Sequence, residues 1–300
     1  MERIRAAIDE KIGRPLSMST TDAAAAIISV AVNELAGAIR LISVEKGHDP
    51  RDFAMMPYGG AGPLHAVEIA REIGIPRVVV PPFPGITSAL GCTLADVRHD
   101  YVQTINTPFP DLAPERVNAV IDSQIESGHA LLERENISLE AIQTRYEVDI
   151  LYSGQSHVIR IPIEKPFDAE RVLEAFEEHY RQRFGLFLPE MIPVLVNVRT
   201  TVIGVREPVD LRLFGARAAK GAPSGGALSS GTRSSYFGGR WYDTPVYRRE
   251  ALVPQSTLSG PVIIEQDDST IVVDPGATAT LDEIGNVIVE IETGGGEQEK

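Results

Sequence analysis

The residues best suited to chemistry lie in a glycine-rich stretch, residues 57–76, which reads PYGGAGPLHAVEIAREIGIP. Gly59, Gly60 and Gly62 remove side chains where a predicted strand gives way to a predicted helix, so the backbone can approach a ligand closely. Free N–H groups at the start of that helix suit a phosphate or a ribose. The pattern is neither G-x-G-x-x-G nor a Walker A loop, because no Gly-Lys-Ser/Thr follows. A tight corner that binds no ligand is the competing interpretation.

Isolated polar residues are weaker candidates. His65, two residues into the helix, is interpreted either as a polar contact to a nucleotide or substrate or as a half-exposed helical histidine. Ser88 has no G-x-S-x-G elbow and no paired base, so helix capping is the better interpretation. Cys92, among Ala, Leu and Gly, is predicted to be a small core residue. Asp49 precedes Pro50 and is predicted to shape its loop.

Two further groups are candidates for metal or partner binding. His157 and His179 lack the spacing of a metal-binding motif, so no metal site is predicted from this chain alone. Residues 265–270, EQDDST, are interpreted as a solvated acidic turn between strands, with an interface to a partner subunit as the alternative. No residue of the chain is singled out as catalytic.

The elements around the glycines predict an α/β arrangement. Residues 21–44 have apolar side chains at close to helical spacing, which predicts a long, well-buried helix. FAMMPYGG predicts a short buried strand, residues 63–73 predict a helix, and RVVVP predicts a β-branched strand. After the stretch PPFPGITSALGCTLADV we expect a further short helix. Strand, glycine turn, helix and strand in this order are typical of a mostly parallel sheet.

Past residue 100 the pattern changes to α+β. Two amphipathic helices are predicted, APERVNAVIDSQIESGHALLERENI and DAERVLEAFEEHYRQRFG, with the hairpin TRYEVDILYSGQSHVIRIPI between them and the strand VLVNVRTTVIGV after them. Residues 220–235 are rich in Gly, Ser and Ala and predict a mobile loop, and the last part of the chain is predicted to be all β. We therefore expect a first domain over residues 1–105, a second over residues 106–292, and a disordered tail over residues 293–300.

Composition narrows the class of protein. Three hundred residues that are 43% hydrophobic suffice for two ordinary domains. Acidic residues outnumber Lys and Arg by 42 to 28, and the basic residues are scattered, which argues against nucleic-acid binding. A single cysteine excludes an intrachain disulfide and indicates a reducing, cytoplasmic location. No signal-peptide pattern is found, and no run is interpreted as a membrane span, so no membrane partner is expected.

The glycine-rich stretch and its flanks resemble the C-terminal half of a known family. EKGHDPRDFAMMPYGGAGPLHAVEIAREIGIPRVVVPPFPGITSALGCTLADVRHD is similar, nearly without gaps, to the hydantoinase A and 5-oxoprolinase family. The similarity continues through RYEVDILYSGQSHVIRIPI and the C-terminal strands, and it covers nearly all of residues 20–292. The chain also resembles the ATPase subunits of acetone and acetophenone carboxylases.

This resemblance implies a fold of α/β and α+β class: the C-terminal portion of an actin-like (Hsp70-like) ATPase fold, followed by a mixed, β-rich C-terminal domain. It makes MPYGGAG an adenosine-binding turn, with ATP and Mg²⁺ as cofactors of the complete enzyme. The implied cofactor-binding residues are Gly59, Gly60, Gly62, Pro63 and His65. The family's phosphate loop, which is similar to D-x-G-G-T-F-T-D, and its G-G-G-S segment are not found in residues 1–58.

The implied activity is ATP-dependent hydrolysis of a cyclic amide such as hydantoin or 5-oxoproline. Because the phosphate loop is missing, we expect the chain alone to be inactive, as a truncated product, an excised piece or a split subunit. The implied partners are the missing N-terminal half, a hydantoinase B-type subunit, or both, with a homo-oligomer as an alternative. The competing functions are an ATPase fragment of an acetone or acetophenone carboxylase and, from another class, a non-catalytic scaffold or decayed pseudo-enzyme.

Overall fold

The computed structural model describes residues 2–186, 188–210 and 229–292. Within these residues the α-helices are α1 (Glu2–Ile8), α2 (Arg14–Leu16), α3 (Thr20–Ile42), α4 (Gly62–Ile73), α5 (Thr87–Leu94), α6 (Pro114–Glu135) and α7 (Ala169–Phe184). The strands are β1 (Ala54–Met55), β2 (Arg77–Val80), β3 (Val97–Pro108), β4 (Ala141–Tyr152), β5 (Ile159–Ile163), β6 (Pro193–Val205), β7 (Gly231–Phe237), β8 (Arg240–Arg248), β9 (Thr257–Ser259), β10 (Val262–Glu265), β11 (Thr270–Val273), β12 (Ala277–Leu281) and β13 (Val287–Ile291). They form two compact units, one of Met1–Thr93 with Asp210–Lys300 and one of Leu94–Val209.

The first unit contains a five-stranded sheet in the order β1-β2-β13-β12-β9 and a four-stranded sheet in the order β11-β10-β8-β7. Strand β1 pairs parallel with β2, and β8 with β10. The other pairs of these two sheets are antiparallel. The predicted mostly parallel sheet is therefore wrong, because β13 enters beside β2 in the opposite direction.

The core of the first unit forms where these strands meet helix α4. Val78 and Val80 on β2 and Val287 and Val289 on β13 are fully buried. They belong to one apolar cluster with the small residues of α4, among them Ala66. The β-branched side chains fit a pleated, buried surface, and the alanine lets the helix approach the sheet. The predicted strand RVVVP and the predicted helix over residues 63–73 are both confirmed.

The second unit is one antiparallel sheet in the order β3-β6-β4-β5, covered by α6 and α7. On α7 the buried side chains Val172, Phe176 and Tyr180 recur every four residues, which is the spacing of one helix face. Helix α6 approaches the sheet closely at Gly128, where a Cβ would lie 2.4 Å from the Val202 side chain. The predicted helices, hairpin and long strand of this region are confirmed.

The division predicted from the sequence, residues 1–105 and 106–292, follows chain order and differs from these two units. Residues 287–290 of β13 pair with residues 77–80 of β2, so the C-terminal strands complete the first sheet. The predicted second domain, residues 106–292, therefore does not coincide with either unit. Alternation within a strand reveals that it is buried, but it does not reveal its neighbour.

Helix α3 is long, as expected, but it is not well buried. Ala23, Val32 and Ala36 are its buried residues, whereas Val30 is 63% exposed and Ile42 is 64% exposed. Within the segment Thr20–Lys46 an 18-residue window has a mean hydropathy of 1.7, so by length and composition this helix could cross a membrane, contrary to the expectation that no run approaches a membrane span. Helices that bury a face against another polypeptide share this composition.

Two other predictions about local structure need comment. The predicted buried strand in FAMMPYGG is only the two residues of β1, and neither is fully buried. The predicted mobile loop over residues 220–235 lies in part outside the described residues, and its end is wrong, because Gly231–Phe237 pairs with β8 as a strand. The tail over residues 293–300 also lies outside the described residues.

Candidate functional site

The glycine turn lies at the carboxyl ends of two parallel strands. Strand β1 runs into the turn at residues 59–62, and β2 runs into a loop that we call the exit loop, residues 81–86. Because β1 and β2 are parallel, both loops emerge at the same edge of the sheet, which is where ligands bind in open α/β sheets. The Gly59 N–H donates to the Pro84 carbonyl oxygen across 2.6 Å and joins the two loops.

The three glycines serve three different purposes. Gly59 has φ of +85°, a left-handed conformation that favours glycine. A Cβ on Gly62 would lie 3.6 Å from the Pro57 side chain, so this glycine packs against the end of the preceding segment. Gly60 is exposed, and a Cβ there would lie 3.4 Å from the Asp268 carbonyl oxygen. Gly60 therefore presents bare backbone to solvent.

Helix α4 begins at the last of these glycines, Gly62. Its N-cap residue, Ala61, makes no side-chain capping bond, and Pro63 is buried in the first turn, where its fixed φ suits a helix start. His65 is half-buried on the same helix. All the cofactor-binding residues implied by the family resemblance therefore lie in one continuous turn and helix start.

The acidic turn over residues 265–270 packs against the exit loop. Asp268 Oδ2 accepts a hydrogen bond of 2.8 Å from the Gly85 N–H, and Gln266 Nε2 donates to the Pro82 carbonyl oxygen across 2.6 Å. Asp268 is half-buried. The interpretation of EQDDST as a merely solvated turn is therefore wrong. Nothing local in the sequence connects positions 183 residues apart.

A buried arginine, Arg249, lies behind the same loop, and sequence reasoning missed it. Its Nη2 donates to the carbonyl oxygens of Val80 and Gly285, each across 2.9 Å, and its Nη1 donates to Gln266 Oε1 across 2.8 Å. Burial lowers the pKa of Arg249 to about 10, against the opposing field of Asp268. The guanidinium therefore stays charged at neutral pH and ties the end of β2 to the C-terminal strands.

Asp274 is a second buried charged group of the first unit. Its carboxylate accepts a hydrogen bond of 2.9 Å from Arg71 Nη1. Burial raises the pKa of Asp274 to about 6, which the Arg71 charge opposes and the Glu68 charge reinforces. This carboxyl group is thus protonated in part near neutral pH.

The other residues singled out from the sequence do not form part of the glycine turn. Asp49 accepts from the Arg51 backbone N–H and pairs with its side chain, which lowers the pKa of Asp49 to about 2 and confirms its loop-shaping role. Ser88 is the second residue of α5 because a 3-10 turn leads directly into that helix, so the predicted capping role is wrong. Cys92 is exposed rather than a core residue. Among the described residues, no three His, Cys, Asp or Glu side chains are grouped to hold a metal ion.

Comparison with known families explains why these features occur together. The family profile described as hydantoinase/oxoprolinase matches residues 1–101, and the profile described as hydantoinase/oxoprolinase C-terminal domain matches residues 113–289. The chain belongs to the hydantoinase/oxoprolinase family. The family resemblance stated from the sequence is thereby confirmed.

Relatives within the hydantoinase/oxoprolinase family include both lactam-ring and ketone enzymes. The caprolactamase subunit alpha of Pseudomonas jessenii is 31% identical over 288 residues, which cover 92% of this chain and 40% of that protein. The acetophenone carboxylase gamma subunit of Aromatoleum aromaticum is 30% identical over 308 residues, with coverage of 95% and 40%. This chain therefore spans about 40% of the length of each of these relatives.

The fold of this hydantoinase/oxoprolinase chain also matches a solved structure. The crystal structure of the ATP-dependent caprolactamase from Pseudomonas jessenii superposes with a TM-score of 0.74 at 28% identity, over 96% of this chain and 42% of that one. The mixed α/β fold with several sheets is therefore shared with an enzyme described as ATP-dependent.

Proposed function

We propose that this chain is the C-terminal part of an ATP-dependent cyclic-amide hydrolase and that its glycine turn receives the adenosine of ATP. The observation that carries the proposal is the exposed Gly60 backbone at the carboxyl edge of β1 and β2, in a chain that matches an ATP-dependent caprolactamase. We assign the α/β part of the first unit to the C-terminal portion of an actin-like ATPase fold.

The residues of the turn fit a nucleoside in three ways. The bare backbone of Gly60 allows a flat base or a ribose to lie against it, since no side chain intervenes. The start of α4 carries no side-chain cap. Since Pro63 has no N–H and the Leu64 N–H donates to the Ala61 carbonyl oxygen, we assign the contact with an acceptor to the Gly62 N–H. His65 on the same helix supplies a polar ring near that start. Mg²⁺ would take its ligands from the phosphates and from the rest of the enzyme.

Bound ATP would supply a phosphoryl group for the ring carbonyl oxygen, which makes an unreactive amide carbon open to attack by water. This chain's contribution is to hold and orient the adenosine end, because positioning and electrostatics dominate phosphoryl transfer. In this proposal, the residues that stabilise the transferred phosphoryl group lie in the part of the enzyme that corresponds to the remaining length of the relatives. We therefore expect this chain alone to have no turnover.

The exposed face of α3 supports such a completing partner. Ile28, Leu35 and Ile42 recur every seven residues on one side of this helix, and each is more than 40% exposed. Apolar groups in such a row mark protein interaction surfaces. We assign this face to the polypeptide that supplies the remaining length of the family fold, and a hydantoinase B-type subunit is the second partner we propose.

A ketone carboxylase is the second candidate function, and the acetophenone carboxylase relative at 30% identity favours it. The same nucleotide site would then serve the activation of a ketone or of bicarbonate. The two functions differ in the product, so one assay panel separates them.

The test is co-expression of this chain with a polypeptide that corresponds to the remaining length of the Pseudomonas caprolactamase subunit. The assembly is assayed with ATP on hydantoin, 5-oxoproline and caprolactam, and with labelled bicarbonate on acetone and acetophenone. ATP-dependent ring opening by the assembly, and none by the chain alone, is the expected result. Carboxylation without ring opening selects the second candidate, and a stable assembly that neither binds nor consumes ATP leaves the scaffold function.

A further inference from the structure

The loop that follows β2 is fixed by side chains from the far end of the chain. Arg249 bonds the Val80 carbonyl oxygen, Gln266 bonds the Pro82 carbonyl oxygen, and Asp268 bonds the Gly85 N–H. Backbone groups of an irregular loop must find partners, and here charged and amide side chains supply them. The exit loop is therefore shaped by the C-terminal strands.

Asp268 makes the closest of these approaches. A Cβ on Gly85 would lie 2.6 Å from Asp268 Oδ2 and 2.7 Å from its Cβ. Distances this short do not occur between non-bonded atoms of these types, so any side chain at position 85 would displace the carboxylate. Gly85 is thus required because a side chain there would collide with Asp268. It is not required for a left-handed backbone conformation.

The residue next to Gly85 links the exit loop to the glycine turn. Pro84, the neighbour of Gly85, accepts the 2.6 Å hydrogen bond from the Gly59 N–H, and the Asp268 carbonyl oxygen lies 3.4 Å from where a Gly60 Cβ would be. The Asp268 backbone therefore lies close to the turn, and its side chain is linked to the turn through the exit loop.

The second oxygen of Asp268 distinguishes this contact from an ordinary loop contact. Oδ1 is buried and has no hydrogen-bond partner among the described residues. A buried carboxylate oxygen without a donor is uncommon, and sequences tolerate such features mainly at functional sites.

We propose that Asp268 is a positioning residue for ATP, an inference that rests on the proposed function. Its carboxylate holds the exit loop, and the exit loop holds the glycine turn in the shape that receives adenosine. The C-terminal acidic turn then sets the nucleotide affinity of a site built by residues 59–65, without touching the nucleotide.

The test compares Asp268→Ala with Asp267→Ala, its neighbour in the same acidic turn. Asp267 is a matched control because its side chain is 95% exposed and pairs with Arg248 instead. Amide hydrogen exchange on the full chain without nucleotide gives the first readout. We expect Asp268→Ala, but not Asp267→Ala, to accelerate exchange at Gly59 and Gly85 by about tenfold or more, since both amides lose their ordered partners.

The second readout is ATP affinity of the co-expressed assembly described above. Asp268→Ala should raise the ATP dissociation constant by about tenfold relative to Asp267→Ala. Asp268→Asn keeps an oxygen that can accept from Gly85 and should retain most of the affinity. Gly85→Ala should act like Asp268→Ala, and the double variant should be no worse than either single variant, because both break one contact.

Each outcome decides the matter. Faster exchange at the turn with unchanged ATP affinity overturns the positioning role and leaves Asp268 as a structural contact. Equal effects of Asp267→Ala and Asp268→Ala overturn it as well. An assembly that binds no ATP even with the unaltered chain overturns the proposed function together with this inference, whereas the exchange data still show whether Asp268 and the turn are coupled.

Discussion

The two units differ in how their strands find partners. In the second unit, β4 pairs with β5 across a short turn, and the whole unit comes from one continuous segment, Leu94–Val209. In the first unit, the central strand β13 lies between β2 and β12, and its pairing with β2 joins residues more than 200 positions apart. Local sequence patterns describe the second unit well and the first unit poorly.

The difference extends to the exposed surface. In the second unit the apolar faces of both helices lie against the sheet, as the buried Val117, Ile121 and Phe176 show. In the first unit helix α3 leaves much of its apolar surface exposed. The buried apolar residues of α6 and α7 therefore pack on their own sheet, whereas α3 retains apolar surface that suits a further polypeptide.

The largest expected effect is the loss of the non-local strand. Val289 is fully buried between Val78 and Ala279, so Val289→Asp would place an unpaired charge at the centre of the first sheet. We expect the first unit to lose about 4 kcal/mol or more of stability, with little change in the second. Hydrogen exchange by mass spectrometry measures both.

Ile288→Asp is the control for this substitution, since Ile288 points to the other face of β13 and is only half-buried. Ile288→Asp should lower the stability of the first unit clearly less than Val289→Asp does. Equal loss of protection in both units after Val289→Asp would contradict the distinction between them.

Asp149 provides the matching test in the second unit. It is 1% exposed and accepts hydrogen bonds of 2.7 Å from Arg199 Nε and 2.8 Å from Asn197 Nδ2. Burial alone would raise the pKa of Asp149, but the bonds from Asn197 and Arg199 outweigh it and lower that pKa. Asp149→Ala should cost about 3 kcal/mol, because it strands the partly buried Arg199. Exchange of β4 and β6 amides should rise while β2 and β13 stay protected, and the reverse pattern would refute the assignment.

The third effect is a pH dependence confined to the first unit. Asp274 has a pKa of about 6 in the folded protein and an ordinary value of 3.8 when unfolded. Between about pH 4 and pH 6 the folded state retains a proton that the unfolded state has lost, so stability falls as pH rises through this interval. The total is on the order of 3 kcal/mol.

Urea unfolding at several pH values, followed by the exchange of β13 amides, measures this dependence. The stability of the unaltered chain relative to Asp274→Asn should be highest near pH 4 and lowest above pH 6. A difference between the two proteins that does not vary with pH would show that Asp274 has an ordinary pKa.

The smallest effects on stability concern the glycine turn. Gly59→Ala must adopt a positive φ and should cost about 1 kcal/mol, with a lower melting temperature. Gly60 has no such strain, so Gly60→Val should change stability less and instead weaken ATP binding by about thirtyfold in the assembly, roughly 2 kcal/mol. Calorimetry and ATP titration on both variants separate the two roles. A melting temperature lowered by Gly60→Val with unchanged affinity would leave the turn as a corner only.

Much of the local structure could be predicted because its causes are local. Gly74 ends α4 with φ of +81°, and the alternation in β5 and the four-residue spacing on α7 each predict a buried face. The glycine turn was found for the same reason, since three glycines between a strand and a helix leave a pattern in a single short segment.

The rest depends on contacts that no local pattern encodes. The burial of Arg249, the placement of Asp268 on Gly85 and the insertion of β13 beside β2 join positions that are far apart in the chain. The exposure of α3 was also missed, because an apolar helix has the same composition whether its partner is its own sheet or another polypeptide. Likewise, an acidic turn in the sequence is interpreted as solvated as long as the loop that it packs against is not known.

The position of β13 in the chain determines how long β2 remains without its partner strand during synthesis. A ribosome releases β2 more than 200 residues before it releases the strand that lies beside it, a delay of roughly 10 to 40 s at the usual speed of translation. Throughout that interval the edge of β2 that pairs with β13 stays uncovered, and the whole second unit is synthesised before the interval ends. The nascent chain therefore carries an unpaired strand edge until β13 is made, and an unpaired edge is a template for pairing with other chains.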